Sequence, residues 1–355
     1  MPSPESLHKV KSMRRFKFVR DPLATEIGDN VEQFLRIMGG PVCIFLSGDN
    51  PDQTRAFVTL LHGNEPSGVM ALFKWLKSAR KPAVNIVCIV ASVSAALEEP
   101  LFSHRMLPGA RDLNRCFRPP FEDEPGLLAE EVLEILKMHH PEAVIDMHNT
   151  SGSGPAFGVC THMDRQHDAL VSIFTQRLIV SNLGLGSLMD ISEHSYPTVT
   201  VEVGGHLDEH SDENAYDGLC RYFQAPIVLA QDETDWGLEL LRDPIRLVIN
   251  DGVTLAYGET GGDCDITLLP NVEHFNFGSV TVDTQLGWAK GDERKLFSAI
   301  DAGGRCAVSQ LVRIEDGKLY PAQTLKLFMI THNAAIAQSD CLFYAVVDDG
   351  SAVCN

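Results

Sequence analysis

Several short runs in the first two hundred residues are apolar and β-prone: 41–46, 55–61, 84–90, 143–148 and 197–205. In 84–90 the hydrophobicity is nearly continuous instead of alternating, the pattern of a strand covered on both faces. Between and after these runs, 30–38, 69–79, 127–139, 169–180 and 214–224 repeat apolar residues at helical spacing. Alternation of strand and helix to about residue 230 predicts an α/β fold, a mostly parallel mixed sheet flanked by helices on both faces. The sequence Gly48-Asp49-Asn50-Pro51-Asp52 is turn-forming, so 41–46 is expected to form a hairpin with 55–61. Residues 1–30 read as a polar arm and a short entry segment. The stretch 92–125 has little periodicity, and loops of this length are usually functional. Beyond 230 the texture changes to short β-like runs at 246–249, 253–256, 281–287, 306–314 and 325–330, separated by Gly and Asp. The expected organisation is an α/β domain over 1–230 and a smaller all-β domain over 231–355.

The strand ends carry the chemistry. The run 55–61 stops at His62, and Glu65 follows just before a helix. The run 143–148 also ends in a histidine, His148, and the run 197–205 carries Glu202 before two glycines. Ligands bind at the C-terminal edge of open α/β sheets, where residues distant in sequence meet. Two imidazoles and a carboxylate make a His₂Glu set that holds a catalytic zinc with one position open to water. Such nitrogen and oxygen donors suit zinc better than magnesium or calcium. Asp146 lies two residues before His148, so both point to one strand face, and it can orient a ligand from behind. Glu202, a carboxylate among apolar residues, is a candidate for acid and base work. The irregular stretch supplies Arg105 and Arg111 as cations for a developing oxyanion. It also supplies Asn114 and Arg115 as a clamp for a substrate carboxylate. The plain alternative for His62 and Glu65 is a surface histidine and an acid favoured by a helix N-terminus.

Composition narrows the partners. The chain has 355 residues, 44% of them hydrophobic, enough for a full core, and a net charge of -19. That charge argues against nucleic acid or an anionic membrane surface, and an anionic substrate needs a local cluster of arginines. No apolar run approaches the ~20 residues of a membrane helix, and the N-terminus lacks a secretory pattern. The nine cysteines lack zinc-finger or C-x-x-C spacing and read as reduced thiols of a cytoplasmic protein. His206 and His210 stand at i, i+4 in an acidic segment, read as a solvated loop or helix start. His139 and His140 close a helix, where the dipole favours them. His162 and His167 have no partners that the sequence identifies. Ser67, Ser151 and Ser153 lack a nucleophile elbow, which excludes a serine hydrolase.

Four motifs taken in order resemble those of the succinylglutamate desuccinylase/aspartoacylase family, within the zinc carboxypeptidase-like superfamily. They are His62-Gly63-Asn64-Glu65, Asp112-Leu113-Asn114-Arg115, Asp146-Met147-His148 and Val201-Glu202-Val203-Gly204. The resemblance covers most of 55–205, and 269–287 and 327–336 resemble the family's C-terminal β domain. It implies one Zn2+ per chain on His62, Glu65 and His148, with Glu202 as general base. It also implies Asn114 and Arg115 as binders of the substrate's carboxylate. The family's oxyanion-side arginine precedes Asp-Leu-Asn-Arg, a place open to Arg105 and to Arg111. Ile336 stands at the nearest correspondence to the aspartoacylases' substrate-contacting tyrosine, and 190–197 follows neither subfamily. The expected function is a zinc-dependent amidohydrolase that deacylates a small anionic N-acyl amino acid. The alternatives are a zinc carboxypeptidase acting on short peptides and a non-catalytic metal- or carboxylate-binding protein. Neither nucleic acid nor membrane is expected as a partner, and homo-oligomerisation is left open.

Overall fold

The computed structural model describes residues 15–181, 184–339 and 341–348; residues 1–14 of the expected polar arm lie outside them. The chain divides into two compact units, one built from residues up to 149 with 156–178 and 184–238, the other from 150–155, 179–181 and 239 onward.

The first unit is organised on a mixed sheet. Its strands are β1 (Lys17–Arg20), β2 (Val42–Leu46), β3 (Asn50–Thr59), β4 (Val84–Val90), β5 (Val144–Thr150), β6 (Phe157–Cys160) and β8 (Thr198–Gly205), in the order β1-β2-β4-β3-β5-β8-β6. β3 pairs parallel with β4 and β5, while β2 with β4 and β6 with β8 are antiparallel. The hairpin expected between 41–46 and 55–61 does not form, because β4 separates β2 from β3. Every residue of β4 is buried, and an apolar strand of that kind is most stable with both edges paired. Asn50, Pro51 and Asp52, expected as turn, form the exposed start of the ten-residue β3.

Helices flank this sheet at α1 (Val31–Met38), α2 (Ser67–Lys77), α3 (Val93–Leu97), α4 (Glu124–His139), α5 (Arg165–Ser172) and α6 (Ser211–Gln224). Local chemistry sets their ends. The Asn30 side chain accepts from Gln33 N at the start of α1, and Gly39 ends it at φ 75°. Asp123 caps α4 by accepting from Gly126 N, with Pro125 in the first turn. The helix expected over 169–180 starts earlier and ends sooner, and Arg177–Val180 is a strand, β7. Asp164 accepts from the backbone N–H groups of Gln166 and His167, which nucleates α5 ahead of the apolar run. The Ile179-Val180 pair is β-branched and favours the strand. The short β6 was not anticipated either; it follows a Gly-rich turn and spans only four residues.

On one face, α4 buries Val132, Ile135 and Leu136 against Val58, Val87 and Ile89 of the sheet. Each such side chain contributes roughly 1.5–3 kcal/mol by leaving water. Elsewhere Phe223 of α6 meets Trp75 of α2 and Phe57 of β3 edge-on, with ring centroids 5.1 and 5.8 Å apart. Arg55 of β3 is fully buried. Its guanidinium donates to Glu142 Oε1 at 2.6 Å and to the carbonyls of Tyr222, Ala225 and Pro226 at 2.8, 2.7 and 3.1 Å. The C-terminal end of α6 is thereby held to the sheet.

The second unit is β-rich, as expected. One sheet runs Ser279–Val280, Leu325–Phe328, Phe343–Val347, Ile245–Ile249, Phe297–Ser298; another runs Leu255–Tyr257, Ile266–Leu268, Gly287–Ala289, Lys318–Pro321, Val312–Glu315. Leu247, Ile266, Leu319, Leu325 and Phe343 share one core. Two expected runs are shorter than predicted: 281–286 is irregular with a turn at 282–283, and 306–314 includes a helical turn at Val308–Leu311. Among the described residues no helix is long and apolar enough to cross a membrane.

Candidate active site

The turn after β3 is tightly built. Leu60 has φ 56°, a left-handed conformation that costs a bulky residue about 1–3 kcal/mol, and its side chain is fully buried. Burial of the leucine offsets that strain and turns the chain so that His62 emerges over the sheet edge. A Cβ on Gly63 would stand 2.6 Å from the His104 carbonyl oxygen and 2.7 Å from the Ala95 carbonyl carbon, so only glycine fits. Gly63 N donates to the Arg105 carbonyl at 2.9 Å. Asn149, next to His148 in β5, ties that strand to the start of α2 and to β8. Its Oδ1 accepts from Ser67 N at 3.0 Å, and its Nδ2 donates to the Gly204 carbonyl at 3.0 Å. The start of α2 and the ends of β5 and β8 are thus fastened through one amide.

These constraints bring His62, Glu65 and His148 together. One ligand atom from each lies within 4.8 Å of the others, and all three residues are buried. Glu65 bridges the two rings, with Oε1 2.8 Å from His62 Nδ1 and Oε2 2.6 Å from His148 Nδ1. The far nitrogen of each ring faces an aspartate. His62 Nε2 is 2.8 Å from Asp112 Oδ1, and His148 Nε2 is 2.9 Å from Asp146 Oδ2. The second contact is too oblique for a hydrogen bond, so both Asp146 oxygens are buried without one.

The donor set fits a divalent cation of the zinc type. Two imidazole nitrogens and a carboxylate converge, with an aspartate behind each ring: Asp112 hydrogen-bonds the far nitrogen of His62, and Asp146 sets its charge beside that of His148. The electrostatics agree. Burial pushes the Glu65 carboxyl up, but His62 and His148 together hold it well below the usual carboxylate range. Burial raises Asp112 too, and His62, Arg105 and Arg115 outweigh it in the same direction. Burial opposes charge on His148, yet Asp146 and Glu65 raise its pKa well above the ordinary imidazole value. A cation held by this set would stand between Glu65 and the two Nδ1 atoms.

Glu202 sits on β8 between the buried Val201 and Val203. Its Oε2 is buried with no hydrogen-bond partner. Burial pushes its pKa up to about 7, and it feels the charges of His148, Glu65, His62 and Arg105. Arg105 reaches the cluster: Nε and Nη2 donate to Asp112 Oδ2 at 3.2 and 2.9 Å, and Nη1 to Glu65 Oε1 at 3.3 Å. Arg111 instead makes a two-pronged pair with Asp123 at 2.6 Å on each arm, at the exposed start of α4. Asn114 is buried, and its Oδ1 accepts from Leu188 N at 2.9 Å. Arg115 donates from Nη1 to the Asn114 carbonyl at 2.8 Å and contributes to the field on Asp112.

Sequence reasoning left Asp112 and Asn149 without roles; the structure sets the first against His62 and has the second join the ends of β5 and β8 to the start of α2. The available signal for Asp112 was an acid in an otherwise irregular loop with arginines on both sides. His206 and His210 lie in the turn region before α6 and join no ligand cluster among the described residues.

Residues 54–218, which contain all of these side chains, match the succinylglutamate desuccinylase/aspartoacylase catalytic domain. This segment belongs to that family. The desuccinylase/aspartoacylase domain also finds its fold among solved structures. One is a succinylglutamate desuccinylase/aspartoacylase from Rhodobacter sphaeroides, 15% identical over 82% of this chain and 84% of that one, with a TM-score of 0.54. Another is the succinylglutamate desuccinylase from Vibrio cholerae, 16% identical over 84% and 99%, TM-score 0.51. Murine aminoacylase 3 is 17% identical over 84% and 96%, TM-score 0.50. At these identities the likeness concerns the fold alone. No curated protein matches the chain.

Proposed function

We propose that this protein is a zinc-dependent hydrolase that cleaves the amide bond of a small N-acyl amino acid. The observation that carries the reading is the convergence of His62, Glu65 and His148 within 4.8 Å beside a buried, unpartnered carboxylate oxygen of Glu202. The domain family supports the acyl-amino-acid substrate class, since its named members remove acyl groups. In this reading His62, Glu65 and His148 hold one Zn2+, with Asp112 and Asp146 orienting the rings. Zinc bound there would polarise the scissile carbonyl and lower the pKa of water toward ~7. Glu202 takes a proton from the attacking water and delivers it to the leaving nitrogen. A pKa near neutrality suits both halves of that exchange. Arg105 supplies positive charge to the carbonyl oxygen as it becomes anionic. Arg115 and the Asn114 amide N–H₂ receive the substrate's carboxylate; Arg111, engaged by Asp123, takes no part. The catalytic domain is 1–230 and the β domain 231–355, and the free cysteines favour a cytoplasmic setting.

Zinc analysis of the purified protein, with a release assay over small acyl-amino acids and short peptides, tests the reading. One catalytic zinc and free amine from acyl-amino acids are expected. Release from peptides alone would make the protein a carboxypeptidase, and zinc without turnover would make it a binding protein.

A further inference from the structure

A second set of ligand-type side chains lies at the other edge of the sheet. β6 runs antiparallel to β8 with Phe157 beside Glu202 and Val159 beside Thr200, so the chain leaves β6 at the end away from Glu202. There His162 Nε2 stands 3.1 Å from Asp164 Oδ2, and His167 Nδ1 stands 2.9 Å from Asp164 Oδ1. The two rings meet edge-on with centroids 4.5 Å apart. One ligand atom from each residue lies within 4.8 Å of the others.

The decisive residue is His167. It is 1% exposed, and its Nδ1, aimed at the cluster, has no hydrogen-bond partner despite the short distance to Asp164. Its other nitrogen is 2.6 Å from Ser192 Oγ, which also accepts from Thr198 N at 3.0 Å. With Nε2–H donating to that hydroxyl oxygen, Nδ1 presents a lone pair. Asp164 Oδ1 is used by the backbone N–H groups of Gln166 and His167 at 2.8 and 3.0 Å, which leaves Oδ2 for another partner. A buried imidazole lone pair facing a carboxylate is unfavourable unless a well-aligned proton or a cation relieves it; the 2.9 Å contact fails as a hydrogen bond on its geometry, which points to a cation. His162 and Asp164 are exposed enough for water to complete a coordination shell.

We propose that His162, Asp164 and His167 form a second metal site that takes a divalent d-block cation of the zinc type. Imidazole nitrogens select such ions over magnesium or calcium. The ion is structural: through His167 and Ser192 it fastens the turn after β6 to the segment Leu188–Glu193. The inference does not depend on the proposed catalytic reading, since the two ligand sets share no residue.

Metal-free full-length protein titrated with Zn2+, read by calorimetry and equilibrium dialysis, tests it. The wild type should take up two equivalents per chain, and His162→Ala and Asp164→Asn one each. Asn keeps the cap on α5 while removing the charge. His62→Ala should keep the equivalent that His162→Ala loses, and the double variant should bind none. Turnover of His162→Ala at saturating zinc should stay within about twofold of wild type, while its melting temperature should no longer rise with the second equivalent. A single equivalent on the wild type that His162→Ala retains, or a second equivalent that survives both variants, overturns the proposal. Failure of the catalytic reading would instead appear as no loss of metal in His62→Ala.

Discussion

Glu202 carries a free-energy cost. A carboxylate oxygen sealed from water without a donor destabilises the fold, and such costs are tolerated at sites where a group must change protonation state. Glu202→Gln keeps the shape and removes the titration. Its zinc content should equal wild type while kcat falls about 10²–10⁴-fold, measured by metal analysis and steady-state kinetics on one preparation. Retained turnover would strip Glu202 of its role. His148 yields a pH prediction. Asp146 and Glu65 raise its pKa, so near neutral pH the metal-free ring holds a proton that a cation must displace. Metal uptake therefore releases protons, and affinity rises with pH and falls on acidification. Competition with a chromophoric chelator at several pH values should show about a tenfold loss per unit for each proton displaced. A flat profile would mean the rings are already neutral.

At the scale of elements, the turn from β3 into α2 has almost no slack. Gly63→Ala pushes a methyl group into the backbone around Ala95 and His104. Overpacking of this kind costs about 1–3 kcal/mol and displaces His62. The variant should melt several degrees lower and hold less zinc, by thermal denaturation and metal analysis; an unchanged melting point and full zinc would mean the turn yields. The elements differ in how well the sequence announces them. α1, α2, α4, α6 and the strands β3, β4, β5 and β8 were legible because burial writes itself into side-chain periodicity. Strand order was not, because pairing depends on which distant strand offers two apolar edges, and so the hairpin expectation failed at β4. The stretch 169–180 misled because its apolar spacing suits either period, while the Asp164 cap was the better local sign. Within the site, the convergence of His62, Glu65 and His148 was legible because the first two follow a buried strand and the third stands near the end of its neighbour. Asp112's grip on His62, and the contrast between Arg105 and Arg111, were not, because an irregular loop places side chains by contacts no period records.

For the whole molecule, the charge of -19 sets a long-range field that opposes anions, while Arg105 and Arg115 act over a few ångströms. Salt distinguishes these ranges, because screening over ~10 Å at 0.1 M removes the distant repulsion first. For an anionic acyl-amino acid, kcat/KM should rise a few-fold between about 10 and about 150 mM salt. An uncharged amide analogue should show no such change. A fall for the anionic substrate would mean that the arginines govern its approach.

The loop that contributes Asp112 and Arg105 also braces His62 and Glu65. A change that moves this loop therefore also moves the side chains that hold the ligand cage in place. On the proposed function, choice of substrate and retention of the ion would share one loop, and a variant altered here to admit larger acyl groups should lose metal as well.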